Sequence, residues 1–218
     1  MIDTEANLFH EPVKLRGANR TRTLVTGAVC FALLIVVAVA GALLASQATA
    51  TDLAAKNQVP SPAHLFGTDR LGRDMLVRTV SGLSTSIGIG LLAAFVSSVI
   101  ALVLGTAAAL GGKKADAVVT WLVDLMMSIP HIVLLILISY ALGKGFWGVA
   151  IGVAVTHWPS LARVVRAEVM QCRQSTFVAC ARRLGVGRAG VAVRHMLPYV
   201  LPQYLVGLIL LFPHAILH

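Results

Sequence analysis

Long runs of apolar residues, separated by short polar stretches, dominate the pattern of this chain. The first run, 24–45, contains no charged residue and exceeds the about 20 residues that a helix needs to cross a bilayer. It is also longer than the apolar part of a cleaved signal peptide, about 7 to 15 residues, so an uncleaved membrane helix is favoured. Four further spans are predicted, at 81–110, about 115–142, about 146–161 and about 198–217. Prolines interrupt the helical pattern of the last two: Pro159, Pro202 and Pro213.

Small side chains recur every four positions within the second predicted span. They are Ala93, Ser97, Ala101, Gly105 and Ala109. This spacing places them on one stripe of a helix, where small residues allow a second membrane helix to approach closely. The pattern therefore predicts a close helix partner along this stripe.

Basic residues are unevenly distributed among the polar stretches. They precede the first run, follow the second and fill the segment between the fourth and fifth: Lys14, Arg16, Arg20 and Arg22; Lys113 and Lys114; and seven Arg from Arg163 to Arg194. The positive-inside rule then predicts a cytoplasmic N-terminal tail at 1–23, an external loop at 46–80 and a cytoplasmic segment at about 163–198.

Composition supports a membrane protein: 57% of the residues are hydrophobic and 12% are charged, whereas about a quarter of a typical soluble domain is charged. The net charge of +9 arises from basic residues between apolar runs. They are not gathered on one soluble face with aromatic residues, so nucleic acid is not an expected partner. The predicted fold is an all-α integral membrane bundle of several spans.

The segment from Thr176 to Pro198 has a different character. Residues 178–184 are mostly good helix formers, and Gly185 supplies a helix stop at a position expected to need a positive φ. Arginines keep the segment out of the bilayer core, while an apolar side is formed by Val178, Ala181, Leu184 and Val193. We expect this apolar side to dock into a groove of a soluble partner.

The residues Ala179, Cys180 and Ala181, followed by Gly185, Leu197 and Pro198, resemble the EAA loop of permeases in ATP-binding cassette importers. In that family the loop is the coupling helix that contacts the ATPase. The family pattern has Glu-Ala-Ala where this chain has Ala179-Cys180-Ala181, so the acidic contact is absent. The resemblance implies an ATPase-coupling loop at Val178, Ala179, Cys180, Ala181, Arg182, Leu184, Gly185, Leu197 and Pro198.

A second motif, HLFGTDRLGRDMLVR at 64–78, resembles the C-type permeases of dipeptide, oligopeptide and nickel importers. Its key positions are Gly67, Thr68, Asp69, Gly72, Arg73 and Asp74. Gly67 permits a sharp turn, and Thr68 or Asp69 is expected to cap a helix. Asp69, Arg70, Arg73 and Asp74 are expected to pair among themselves, which favours a structural clasp over substrate contact. The stretches VDLMMSIPHIVLL at 123–135 and HWPSLARVVRAEV at 157–169 extend the likeness.

This resemblance implies a permease of the type I importer kind, with its core at 81–218. The full family has six spans, so we expect a C-terminally incomplete member that lacks the sixth. The resemblance further implies a homologous second permease, two ATP-binding subunits, an external solute-binding protein and a place in the bacterial inner membrane. Peptides and nickel or other metal complexes both stay open as substrates, and the residues that contact substrate are unknown.

Other functions fit the residues less well. Asp124 lies inside the third span and could serve a proton-coupled carrier, but a hydrogen-bonded structural Asp is favoured because no second intramembrane acid builds a relay. A channel is a further alternative. The chain has no P-loop motif and no nucleophile with a base at useful spacing, so ATP hydrolysis is expected from a partner and no cofactor is expected. Four histidines, His131, His157, His214 and His218, could line a metal path, but the pattern lacks the clustered ligands of a metal site.

Overall fold

A computed structural model describes residues 20–217 of the protein, without the side chains of Arg188 and Ala189. His218 and most of the predicted N-terminal tail lie outside the described residues. The described part is helical: α1 Arg20–Leu43, α2 Ala45–Thr49, α3 Met75–Leu110, α4 Gly112–Ser128, α5 His131–Ala141, α6 Phe146–Arg173, α7 Thr176–Arg183, α8 Arg188–Val191 and α9 Leu197–Ile216. A 3-10 turn at Leu53–Ala55 and a π-helical turn at Ala192–Met196 complete the helical elements there.

Four helical stretches of the described chain are long and apolar enough to cross a membrane: Arg20–Leu43, Met75–Leu110, Phe146–Arg173 and Ala192–Ile216. There are five if α4 and α5 together form one bent span. Helix α6 runs through Pro159, and α9 runs through Pro202 and Pro213, so the prolines do not end these helices. The predicted all-α, multi-pass membrane fold is confirmed.

The stripe of small residues on α3 faces α6. Ala93, Ser97 and Ala101 are fully buried, and the Ser97 hydroxyl donates a hydrogen bond of 2.6 Å to the carbonyl oxygen of Ala154 on α6. A Cβ atom at Gly105 would lie 2.7 Å from the Ala162 carbonyl oxygen. The backbones of α3 and α6 therefore approach so closely that a side chain at position 105 would clash, which agrees with the close helix contact that the stripe predicts.

Helix α1 packs against α3, and α9 packs against both α3 and α6. On α1, a Cβ at Gly41 would lie 2.4 Å from the Cβ of Ser84 on α3, and Ser84 donates a hydrogen bond of 2.6 Å to the Ala38 carbonyl oxygen. On α9, the Tyr204 hydroxyl donates a hydrogen bond of 3.0 Å to Ser98 on α3. Small or hydroxyl-bearing residues thus mark each contact, as expected where lipid removes the hydrophobic drive between helices.

The third predicted span is not one straight helix. Helix α4 ends at Ser128 and α5 begins at His131, and the two axes are bent by 90°. Ile129 is extended, with φ −89° and ψ 133°. The residue before a proline avoids the helical region because the proline ring crowds its backbone, so Pro130 accounts for the break. The predicted span at about 115–142 thus consists of two helices with a sharp bend between them.

Candidate functional site

Asp69 organises the loop between α2 and α3. Its carboxylate accepts hydrogen bonds from the backbone N–H groups of Leu71 and Arg73, at 2.8 and 3.0 Å. It also pairs with the guanidinium groups of Arg73 and Arg78, each at 2.7 Å. The hydrogen bonds from Arg73, its side chain foremost, hold the pKa of Asp69 well below its usual range.

Asp74 joins this loop to α3. One carboxylate oxygen accepts hydrogen bonds from the backbone N–H groups of Leu76 and Val77, at 2.8 and 3.1 Å, which makes Asp74 the N-cap of the helix. The other oxygen lies 2.8 Å from Nδ1 of His64. The hydrogen bond from His64, followed by those from the backbone, lowers the pKa of Asp74.

The remaining motif residues fold the loop over itself. Thr68 is buried; its hydroxyl donates to the Ala55 carbonyl oxygen and accepts from the Gln58 N–H group at 2.9 Å. Gly67 and Gly72 have φ of +71° and +74°, and a Cβ at Gly72 would lie 1.6 Å from the Asp52 carbonyl oxygen. We call residues 52–74 the loop clasp.

The expectations for this motif are met in part. The turn at Gly67 is present, and so is the pairing of Asp69 with Arg73, but Asp74 pairs with His64. The helix cap is Asp74, not Thr68 or Asp69, because those residues hold the loop itself and α3 begins only at Met75. Arg70 is exposed. The hydrogen bonds of the motif all serve the loop and the start of α3.

Helix α7 lies in the predicted coupling loop and ends as predicted. Gly185 has φ +81°. Its N–H donates to the Arg182 carbonyl oxygen, and the N–H of Val186 donates to the Ala181 carbonyl oxygen, both at 3.1 Å. This pair of bonds around a left-handed glycine is the Schellman helix stop, which satisfies carbonyl groups at the end of a helix. The predicted helix and turn are confirmed, with the helix starting at Thr176.

The faces of α7 differ from the prediction. Val178 and Ala181 are buried in the chain's own core, in one cluster with Val169 and Val191. They do not face a partner. The surface that α7 presents outward is formed instead by Phe177, Ala179, Cys180, Arg182, Arg183 and Leu184. This surface combines apolar side chains, of which the sequence pattern predicted only Leu184, with two arginines, and Leu184 is 84% exposed. We call this surface the outer face of α7.

Leu197 and Pro198, the other coupling-loop positions, are exposed at the start of α9. The ring of Tyr199 lies 5.9 Å from that of Phe177, between centroids. The start of α9 is therefore next to α7. Of the predicted coupling-loop residues, Val178 and Ala181 are buried, whereas Ala179, Cys180, Arg182, Leu184, Gly185, Leu197 and Pro198 are exposed.

Two ion pairs join α4 to α6. Asp116 accepts two hydrogen bonds from Arg166, at 2.5 and 2.7 Å. Asp124 accepts one from Arg163 at 2.7 Å. Between them, Val119 and Val123 are buried. The expected hydrogen bond of Asp124 is confirmed.

A cavity of about 460 Å³ lies where α4 breaks into α5, against α6 and α9. Three of the predicted histidines line it: His131 at the start of α5, His157 on α6 and His214 on α9. The rings of His131 and His157 lie 5.9 Å apart and those of His157 and His214 lie 5.2 Å apart, between centroids. His218 lies outside the described residues. Within 20–217, no group of three His, Cys, Asp or Glu side chains is placed to hold a metal ion.

Sequence comparison assigns the family. The family described as the binding-protein-dependent transport system inner membrane component matches residues 86–218. The chain belongs to this family. Its multi-helix bundle is the fold of the type I ATP-binding cassette importer permeases, and α6, α7 and α9, with most of α3, fall within the matched range of this permease family.

Relatives within the permease family cover much of the chain. It is 37% identical over 147 residues to a putative peptide permease protein of Brucella abortus, over 67% of this chain and 49% of the relative. It is 32% identical over 166 residues to the oligopeptide transport system permease protein of Bacillus subtilis, over 76% and 54%. A putative peptide transport system permease protein of Brucella suis is 36% identical over 189 residues, over 84% and 64%. The chain thus spans about half the length of the first of these relatives.

Proposed function

We propose that this chain is a pore-forming permease subunit of an ATP-driven importer for short peptides, coupled to separate ATP-binding subunits through α7. Family membership supports the importer. The similar proteins from Brucella and Bacillus subtilis are named as peptide permeases, which favours peptides over nickel complexes. The assembly would contain a second, homologous permease, two ATP-binding subunits and a solute-binding protein in a bacterial inner membrane, with the N-terminus cytoplasmic.

The observation that carries the coupling assignment is the geometry of α7. Its inner residues, Val178 and Ala181, fix it to the core, while Leu184 projects outward at 84% exposure just before the glycine stop. An eight-residue helix that is anchored on one side and followed by an exposed leucine suits a groove on a soluble subunit. The arginines near its end, Arg182 and Arg183, leave the outer face basic at its rim.

The test is Leu184→Glu in the assembled transporter. A carboxylate buried without a partner is costly, so we expect the ATP-binding subunits to co-purify poorly and ATP-dependent peptide uptake to fall at least tenfold, the equivalent of about 1.4 kcal/mol. Membrane abundance should stay near normal, because Leu184 makes little contact with the chain's core. The matched control is Leu53→Glu, which changes a leucine of 72% exposure in the loop clasp.

Four results would contradict parts of this proposal. Normal co-purification and uptake in Leu184→Glu would remove α7 as the coupling element. Uptake that follows a proton gradient and ignores ATP would favour the carrier, and uptake that needs neither would favour a channel. The substrate assignment is tested by the cognate solute-binding protein. If that protein binds nickel complexes and no peptides, the transported substrate is a nickel complex and not a peptide.

A further inference from the structure

The cavity at the break between α4 and α5 has walls of unusual chemistry for a membrane bundle. Three imidazoles line it together with the hydroxyls of Thr156 and Ser160. None of the described residues that line it is Asp, Glu, Lys or Arg. The described walls thus combine imidazole and hydroxyl groups, with no carboxylate that would repel an anion or hold an ammonium group.

The start of α5 adds a partial positive charge to the same cavity. Pro130 and His131, the N-cap and first residue of α5, both line it. The N-terminal end of a helix carries about half a positive charge and favours anions. Membrane helices that are broken at mid-span use such ends to bind anionic substrate groups. The break in the third predicted span thus faces the cavity with an electropositive helix end.

His157 holds the histidines in place. It is buried, and its Nδ1 lies 2.9 Å from the Val153 carbonyl oxygen. The Thr156 hydroxyl oxygen lies 3.0 Å from the same nitrogen. The ring of His157 contacts those of His131 and His214 edge to face. It therefore acts as a positioning residue, with His131 and the exposed His214 nearer the opening.

A bare metal cation fits this site less well than an anion. The described residues hold no three-ligand metal group, and the positive end of α5 disfavours a cation. The cavity volume of about 460 Å³ falls in the range of about 300–1,000 Å³ typical of small-ligand sites. It has room for the end of a short peptide.

We propose that this cavity takes a carboxylate of the transported substrate, with His131 and His214 as hydrogen-bond donors and the start of α5 as electrostatic support. For a peptide, the group is the C-terminal carboxylate. The assignment rests on the proposed function, since it concerns the substrate that the permease carries. It names His131 and His214 as specificity-determining residues.

The test compares trialanine with its C-terminal amide in proteoliposomes that contain the assembled transporter. The solute-binding protein is saturated with either peptide, so that any difference in uptake arises in the permease. A hydrogen bond to a charged group is strong enough that the wild type should favour the acid by about tenfold or more. In His131→Phe and His214→Phe the ratio of acid to amide uptake should fall close to one, because both substitutions remove a donor.

Two kinds of control separate recognition from packing. His131→Gln and His214→Gln keep an N–H donor and should retain part of the preference. Val133→Phe on α5 and Leu210→Phe on α9 alter residues of 59% and 64% exposure that do not line the cavity, and the ratio should stay at the wild-type value.

Equal uptake of the two peptides by the wild type would overturn the carboxylate assignment. So would phenylalanine variants that slow both peptides by the same factor, or that impair only nickel-dependent uptake. If no peptide is taken up in an ATP-dependent manner, the proposed function itself fails. That result differs from equal uptake of acid and amide, which removes the carboxylate site alone.

Discussion

Gly185 shows how one residue shapes the outer face of α7. Its φ of +81° lies in the region that L side chains with a Cβ avoid. No atom lies within 4 Å of a Cβ added there, so a side chain has space and the cost is conformational, about 1–2 kcal/mol. We predict that Gly185→Val misdirects the turn after Leu184 and abolishes substrate-stimulated ATP hydrolysis and uptake, while immunoblots show near-normal membrane levels.

The matched control for this change is two residues away. Gly187 also has open space where a Cβ would lie, and its φ is outside the strained region. Gly187→Val should therefore keep most of the ATPase stimulation. Full transport in Gly185→Val would show that the glycine stop does not direct the coupling surface.

For single residues, the backbone conformation of glycines could be predicted from the sequence, but which side chains are buried could not. The positive φ at Gly185 and the turn at Gly67 follow from glycine chemistry. The cap Asp74 was missed because three polar residues of the motif could each have begun α3. Ala181 was placed on the docking side, yet it is 7% exposed, because an eight-residue helix with apolar residues on two sides does not reveal which side meets the core. Ala181→Asp would therefore damage the core of the chain itself.

Among the elements, α4 is held to α6 by charge as well as by apolar contact. The Asp116–Arg166 pair has two hydrogen bonds and side chains that are 31% and 34% exposed. We predict that Arg166→Asp destabilises the protein and that the double change Asp116→Arg with Arg166→Asp restores most of the loss. A double-mutant cycle from thermal unfolding should give a coupling free energy of about 1 kcal/mol.

The second ion pair provides the comparison for this cycle. Asp124 and Arg163 are 59% and 52% exposed and share one hydrogen bond. One hydrogen bond fixes the two side chains less firmly than two do, so the coupling free energy of this pair should be smaller than that of Asp116 and Arg166. Equal couplings for the two pairs would mean that the second hydrogen bond does not set their strength.

The loop clasp should depend on pH through its two carboxylates. The pKa values of Asp69 and Asp74 are lowered in the folded protein, by hydrogen bonds from Arg73 and from His64 respectively. Because the pKa is lowered in the folded protein, the ionised carboxylates stabilise the clasp at pH values above their ordinary pKa of 3.8. This stabilisation is lost as the pH falls through the pKa of the folded state. We predict that amide hydrogen exchange over 52–74 accelerates on acidification below pH about 4 beyond its intrinsic pH dependence.

Two substitutions separate charge from capping in the clasp. Asparagine caps helices about as well as aspartate, so Asp74→Asn should weaken only the acid-dependent part of the protection. Asp74→Ala also removes the cap and should cost about 1 kcal/mol more at neutral pH. An identical response of wild type and Asp74→Asn to acid would show that the His64 contact contributes nothing.

For the molecule as a whole, apolar run length and the stripe of small residues predicted the membrane fold and the α3–α6 contact. The same reasoning predicted one span across Pro130, although helices often end at the residue before a proline. The length of the apolar run does not show such a break, so the cavity beside it was not predicted. The histidines were visible in the sequence, but 131, 157 and 214 are far apart along the chain, and only the packing of α5, α6 and α9 brings their rings within 6 Å.

Helix α3 has 36 residues, which corresponds to a rod about 54 Å long, well beyond the roughly 30 Å of a bilayer's hydrocarbon core. Its first turn is fastened to the loop clasp by Asp74, and near its far end the Ala109 carbonyl oxygen accepts a hydrogen bond of 3.1 Å from Arg173, three residues before α7. If a helix of that length tilts as one body by about 5°, one end moves by roughly 5 Å relative to the other. A displacement beside α7 would then reach the loop clasp through α3.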